Sequence, residues 1–246
     1  YQWFDYVFRG AAKPSLLADR INYEVMGANT WRHAPSLNAM ANQRLSFHLG
    51  SAVLPNGLYP LQSHSQSPAT SVTQTIDLAD RSDVDRMFSN AIVQRKLDTW
   101  NSIAFVSDPL MQPTELSGLF SGSLHFITNK RDFDFEISLY ELTPAGDYVA
   151  LSYYMARASY VPDRSHRRLL VPGRPQQLDF LSGRLTSRKF QVGSRLIVEI
   201  SLIRQPGAQI NYGTGRDVSD ETIADAGSSL TIKWLGSSVI NVPVRR

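Results

Sequence analysis

From about residue 43 to the end of the chain, apolar residues return at every second position. That period suits strands and is wrong for helices. Leu45, Phe47 and Leu49 alternate with Arg44, Ser46 and His48. Leu116, Gly118, Phe120, Gly122, Leu124 and Phe126 share one face. Phe133, Phe135, Ile137 and Leu139 stand opposite Asp132, Asp134, Glu136 and Ser138, and Leu196, Val198, Ile200 and Leu202 repeat the pattern. Leu230, Ile232 and Trp234 alternate with Thr231 and Lys233, and Val239 to Val244 reads as a closing strand. Half-buried strands of this kind belong to antiparallel sheets with one wet face. Turn signals separate them at Pro55-Asn56-Gly57, Pro144-Ala145-Gly146-Asp147 and Val171-Pro172-Gly173, and Asp163-Arg164-Ser165-His166 reads as a polar loop. The pattern predicts a mainly all-β chain folded as a sandwich or jelly roll.

The first forty residues depart from that period. Trp3, Phe4, Val7 and Phe8 make one face of a short helix, with Gly10 as its C-cap. So short and apolar a helix needs something to pack against. Ile21 to Met26 alternates as a strand ending at Gly27. Residues 55–73 and 205–229 read as long loops, and Asp80 to Leu97 as a short helix.

Several chemistries are excluded or weakened. With no cysteine among 246 residues, disulfides, thiolate metal sites and a thiol nucleophile are ruled out. No stretch reaches the roughly 18 consecutive apolar residues of a membrane-spanning helix. The net charge is +3, and the basic residues are scattered apart from Arg164, Arg167, Arg168, Arg245 and Arg246. A nucleic-acid binder would show a basic stripe interleaved with aromatics. No serine has glycines on both flanks in the Gly-x-Ser-x-Gly pattern, so Ser121 and Ser123 read as strand residues. His33, His48, His64, His125 and His166 lack partners at metal-ligand spacing, so neither a metal nor a cofactor is expected. Asp132, Asp134 and Glu136 read as a solvated or ion-paired face, with Lys130 and Arg131 nearby. Asn211-Tyr212-Gly213-Thr214-Gly215 lacks the Lys-Ser/Thr and helix of a phosphate loop and reads as a turn. Trp31 and Trp100 sit at strand or loop edges, where they would line a pocket or anchor packing.

Seven stretches, in order along nearly the whole chain, resemble one family. Trp3 to Gly10 resembles the F-F-D-H-W-L-x-G helix of the X-Pro dipeptidyl-peptidase and cocaine-esterase-like hydrolases. Val25-Met26-Gly27-Ala28-Asn29-Thr30-Trp31-Arg32 is similar to that family's V-M-G-x-N-x-W-R. Phe105 to Leu110 with Leu116-Ser117-Gly118, then Asp132-Phe133-Asp134-Phe135, Leu170-Val171-Pro172-Gly173, Val192 to Ser201 and Asn211 to Gly215 follow its later motifs. Ser194 stands where the family usually has His, and residues 204–229 match poorly. Within the family the chain looks closest to acylases and α-amino-acid ester hydrolases.

The resemblance implies a galactose-binding-like jelly roll over residues 41–246, preceded at 1–40 by the helix–strand tail of an α/β-hydrolase domain. It also implies that the chain is a piece of a longer protein, with a Ser–Asp–His triad upstream. No catalytic residue carries over onto this chain. The implied partners are the upstream hydrolase and cap domains and a small acyl or peptide substrate of the parent enzyme. The alternative is a free-standing carbohydrate-binding sandwich. Self-association through the exposed face of helix 1–10 is a further expectation.

Overall fold

A computed structural model describes residues 1–67, 69–82, 91–205 and 207–246. Helix α1 spans Gln2–Arg9 and ends on Gly10, whose φ of 67° supplies the left-handed cap. Strands β1 (Ile21–Val25) and β2 (Thr30–Ala34) pair as an antiparallel hairpin. Then come β3 (Gln43–Leu49), β4 (Tyr59–Gln62), β5 (Ser71–Ile76) and β6 (Val93–Gln94). The central strands are β7 (Ser102–Ser107), β8 (Thr114–Gly118), β9 (Ser121–Thr128), β10 (Asp134–Leu142) and β11 (Tyr148–Arg157). The chain closes with β12 (Gln176–Leu181), β13 (Thr186–Phe190), β14 (Arg195–Leu202), β15 (Leu230–Leu235) and β16 (Val239–Arg245).

Two layers face each other. One is β7-β14-β10-β11, and the other is β5-β15-β9-β16-β3, with β12 on β9 and β13-β8 on β16. Strand β4 carries the hydrogen-bonded path from β3 to β7, the latter in a parallel pairing. Both layers turn their apolar alternates inward into one core. Phe126 of β9 packs 5.5 Å from Phe133 and 5.7 Å from Trp234, measured between ring centroids. The buried Trp234 indole donates to Gln74 Oε1 at 2.9 Å, and the Gln74 amide donates to the Asn101 and Ile200 carbonyls at 2.9 and 3.2 Å. One buried polar relay thus stitches the two layers without leaving an indole N–H unpaired. The chain is a β-sandwich of jelly-roll type, as the alternation predicted.

Three expectations change. The loop expected over 55–73 contains β4 and the start of β5. Part of the helix expected over Asp80–Leu97 falls on residues 83–90, outside the described residues, and Val93–Gln94 is strand paired with β11. The wet outer face fails for β8 and β14. Glu115 and Ser117 of β8 are buried because the β1–β2 hairpin and β13 lie beside them. Ile197 of β14 is fully buried in a second small cluster with Leu58, Leu97, Ala104 and Val106.

Gly122 marks where β9 admits no side chain. A Cβ there would press into the Val239 carbonyl oxygen and stand 2.6 Å from the Phe180 ring. Gly122→Ala is therefore expected to lose about 1–3 kcal/mol of stability to overpacking. A urea midpoint shifted down with an unchanged slope would show it, and an unchanged midpoint would mean the strands part at little cost.

Candidate functional site

A polar recess lies on the outward face of β10 and β14. Alternation on β10 sends Glu136, Ser138 and Tyr140 outward, opposite Ser201, Glu199 and Ile197 of β14. The turn before β7 brings Asp98, Trp100 and Asn101 over them, with Asn101 at a φ of 55°. Together they enclose a cavity of about 300 Å³. A second depression continues across β10 to Tyr153, where the Arg184 guanidinium stacks 3.9 Å from the ring centroid.

Glu199 sits at the centre and is only 4% exposed. It accepts a hydrogen bond from Ser102 Oγ. Burial pushes its carboxyl up to about 7, and the charges of Glu136 and Asp98 add to this, while hydrogen bonds from Ser102 and Tyr140 oppose it. Burial likewise raises the Tyr140 phenol well above its ordinary range, reinforced by the charges of Glu199 and Glu136. The recess therefore holds a carboxyl that changes charge near neutrality, the behaviour of a functional group. The sequence reading missed it, although Glu199 interrupts the run Leu196-Ile197-Val198-Glu199-Ile200.

The two singled-out tryptophans stand apart. Trp100 is half-buried at the rim of the recess, with the Arg204 guanidinium 5.5 Å from its ring centroid. Trp31 lies on β2 and is 48% exposed. Its hairpin is docked on β13 by Met26 N to Ser187 O at 3.0 Å and Lys189 N to Met26 O at 2.9 Å. Arg32 Nε adds a bond to the buried Glu115 carboxylate at 2.8 Å. On α1, no residue is buried, and the Trp3, Phe4 and Phe8 rings pack on one another, with Phe4 and Phe8 stacked at 6.1 Å.

The motif residues near the chain's middle have structural partners. Asp132 is fully buried and accepts from Arg167 Nη2 at 2.8 Å and Ser159 Oγ at 2.7 Å. Asp134 takes both arms of Arg157, at 2.9 and 3.0 Å, and the Asn211 amide at 2.8 Å. The expected ion-paired face is present for both, but Asp132 lies inside rather than in solvent. The Asn211–Gly215 turn does cradle an anion. It is the chain's own Glu221, whose carboxylate accepts from the Tyr212 and Thr214 amides at 2.7 and 2.9 Å. His125 has Ser237 on Nδ1 at 2.8 Å and Ser123 on Nε2 at 3.2 Å, so no carboxylate orients its ring as a triad requires. Among the described residues, no group of three His, Asp or Glu side chains stands close enough to hold a metal ion.

Comparison with known proteins adds the family context. Residues 18–229 match the X-Pro dipeptidyl-peptidase C-terminal non-catalytic domain. No curated protein matches the sequence. An aminopeptidase from a marine sediment archaeon, Thaumarchaeota archaeon, superposes with a TM-score of 0.74 at 15% identity, covering 100% of this chain and 43% of its own. An α-amino acid ester hydrolase gives 0.74 at 18% identity, over 99% of this chain and 44% of its own. A CocE/NonD family hydrolase from Staphylococcus aureus gives 0.64 at 12%, over 99% and 44%. The chain thus spans less than half the length of these structures.

Proposed function

The chain belongs to the family of the X-Pro dipeptidyl-peptidase C-terminal non-catalytic domain, and from that footing we propose that it packs on the catalytic domain of a larger serine hydrolase and helps wall its substrate pocket. The observation that carries this reading is the unsupported aromatic face of α1. Phe4 is 55% and Phe8 72% exposed, and a helix with no buried residue cannot hold itself in water. A covering domain would bury that face. In this reading residues 1–40 are the tail of the hydrolase domain and 41–246 the jelly-roll sandwich. The docked hairpin β1–β2 then forms the joint, and Trp31 lies on the surface turned to the catalytic domain. Trp100 belongs to the same proposal as a pocket or interface residue. The parent's chemistry would be attack on an ester or amide carbonyl by a serine of an upstream Ser–Asp–His triad. The sandwich would contribute shape and exclusion of water.

Two experiments test it. A fluorophosphonate serine-hydrolase probe should label this chain only when the upstream gene sequence is restored. Labelling of the 246-residue chain alone would mean that one of its own serines is activated and that the accessory reading is wrong. Alanine at Trp31 and Trp100 in the extended protein should lower activity or stability. Full retention of both would remove these residues from the interface.

A further inference from the structure

The second depression, on the outward face of β10 and β11, is built around one cation. Arg184 lies on the connection from β12 to β13. Its carbonyl accepts from Ser152 Oγ at 2.9 Å and from Ser182 Oγ at 3.4 Å, and the Ser182 amide donates to the Phe120 carbonyl at 2.8 Å. Ser152 and Ser182 are both buried, so the backbone of Arg184 is fixed from beneath. Its guanidinium lies 3.9 Å from the centroid of the Tyr153 ring, which holds the head group on one aromatic face. Among the described residues, the N–H groups of that guanidinium meet no acceptor. A guanidinium held at its backbone and at one face, with its edge free, is a fork set for a planar two-oxygen anion. Its ordering precedes the ligand, which lowers the cost of binding.

The walls restrict what that anion can carry with it. Ala150 and Leu151 of β11 and Leu185 beside Arg184 supply apolar surface, and the depression encloses about 330 Å³. That volume lies at the small end of ligand pockets. Ser138 stands opposite Tyr153 across the two strands. Glu136 follows two residues along β10 on the same face, about 6.5–7 Å from Ser138. Its carboxylate accepts from Ser138 Oγ at 2.5 Å and lines the same depression. A second negative charge on the ligand would meet that carboxylate, and a neutral ligand would leave the guanidinium edge unused. We propose that this depression binds a compact organic monocarboxylate with an apolar body. The two carboxylate oxygens accept from the edge of Arg184. The body lies over Ala150 and Leu151 and against Leu185. Glu136 excludes dicarboxylates by like-charge repulsion.

NMR titration of the 246-residue chain with four cyclohexane derivatives tests this. Cyclohexanecarboxylate carries the apolar body and one negative charge. Its carboxamide lacks the charge, trans-cyclohexane-1,4-dicarboxylate adds a second, and cyclohexylammonium reverses it. The monocarboxylate should saturate with a Kd on the order of 10 mM, the affinity that a ligand of this size reaches at ordinary efficiency. The shifts should centre on the Arg184 Nε–H and the Tyr153 amide. Each of the other three should bind roughly tenfold weaker or not at all, the loss expected for a charge-assisted contact. Arg184→Lys keeps the charge but loses the planar fork and the stack, so it should weaken the monocarboxylate roughly fivefold or more. Any control binding as tightly as the monocarboxylate would overturn the proposal, as would full affinity in Arg184→Lys or no saturation by ~100 mM. The comparison of ligands needs no variant, so it stands whatever the substitution does to the fold. Only binding to this chain is read, so these outcomes are independent of the accessory role proposed above.

Discussion

Replacing Asp132 by alanine should lower stability by about 3–5 kcal/mol, the usual cost of removing one partner from a buried ion pair. The carboxylate is fully buried and accepts four hydrogen bonds. Two come from backbone amides, Phe133 and Ser159, each at 3.0 Å. The others come from Ser159 Oγ and Arg167 Nη2. Those donors sit on the turn entering β10, on the short 3-10 turn at Ala158–Tyr160 and on the segment leading to Leu170. Arg167 reaches onward to the Arg216 carbonyl. Removing the carboxylate leaves two buried amides without acceptors and a charged guanidinium with only neutral partners. Asparagine keeps the volume and one acceptor, so Asp132→Asn should fall between alanine and the native residue. For a domain of this length the alanine variant should melt on the order of 10 °C lower. Chemical unfolding at neutral pH with an unchanged slope would assign the loss to the native state. A loss under ~1 kcal/mol would mean that water replaces the carboxylate and that the cluster is a surface feature.

The same cluster shows what the sequence displayed and what it hid. The alternation of Phe133, Phe135, Ile137 and Leu139 with Asp134, Glu136 and Ser138 was legible, because a strand's two faces follow from a period of two. The cap at Gly10 and the turns at Gly57, Gly146 and Gly173 were equally local, and each of these glycines has a positive φ. What the outer faces meet is not local. Ile197 reads as a wet residue until residues 54–58 and 97 fold across it. Glu199 reads as an ordinary polar alternate until the turn carrying Asp98, Trp100 and Asn101 closes over β14. The Asn211–Gly215 turn cradles an anion of the chain itself. Its anion, Glu221, comes from a segment with no periodicity to announce it. Of the two tryptophans chosen for their size and position, Trp100 lies at the recess while Trp31 belongs to a separate docked hairpin. Aromatic size identified candidates for contact but not the titrating group beside Trp100.

That group carries the second large effect. Glu199→Gln should stabilise the chain by on the order of 3 kcal/mol at pH 8 and change little near pH 5. The sign follows from proton counts. The folded carboxyl titrates at about 7 and the unfolded one near the model value of 4.5. Between those values the folded state holds the proton and the unfolded state has released it. Stability from this group is therefore fully present below about 4.5, falls as the pH rises, and levels off above about 7. Burial is the main cause, since the side chain is 4% exposed, and Glu136 and Asp98 add like charge. Glutamine has the same shape, accepts from Ser102 and carries no charge to desolvate. Its variant should lose the downward slope across that window while matching the native chain at the acid end. Urea unfolding of both proteins at the two pH values measures this directly. Equal stability at pH 8 would mean that Glu199 is already ionised and solvated in the fold. The recess would then be an open groove rather than a cavity that desolvates its carboxyl.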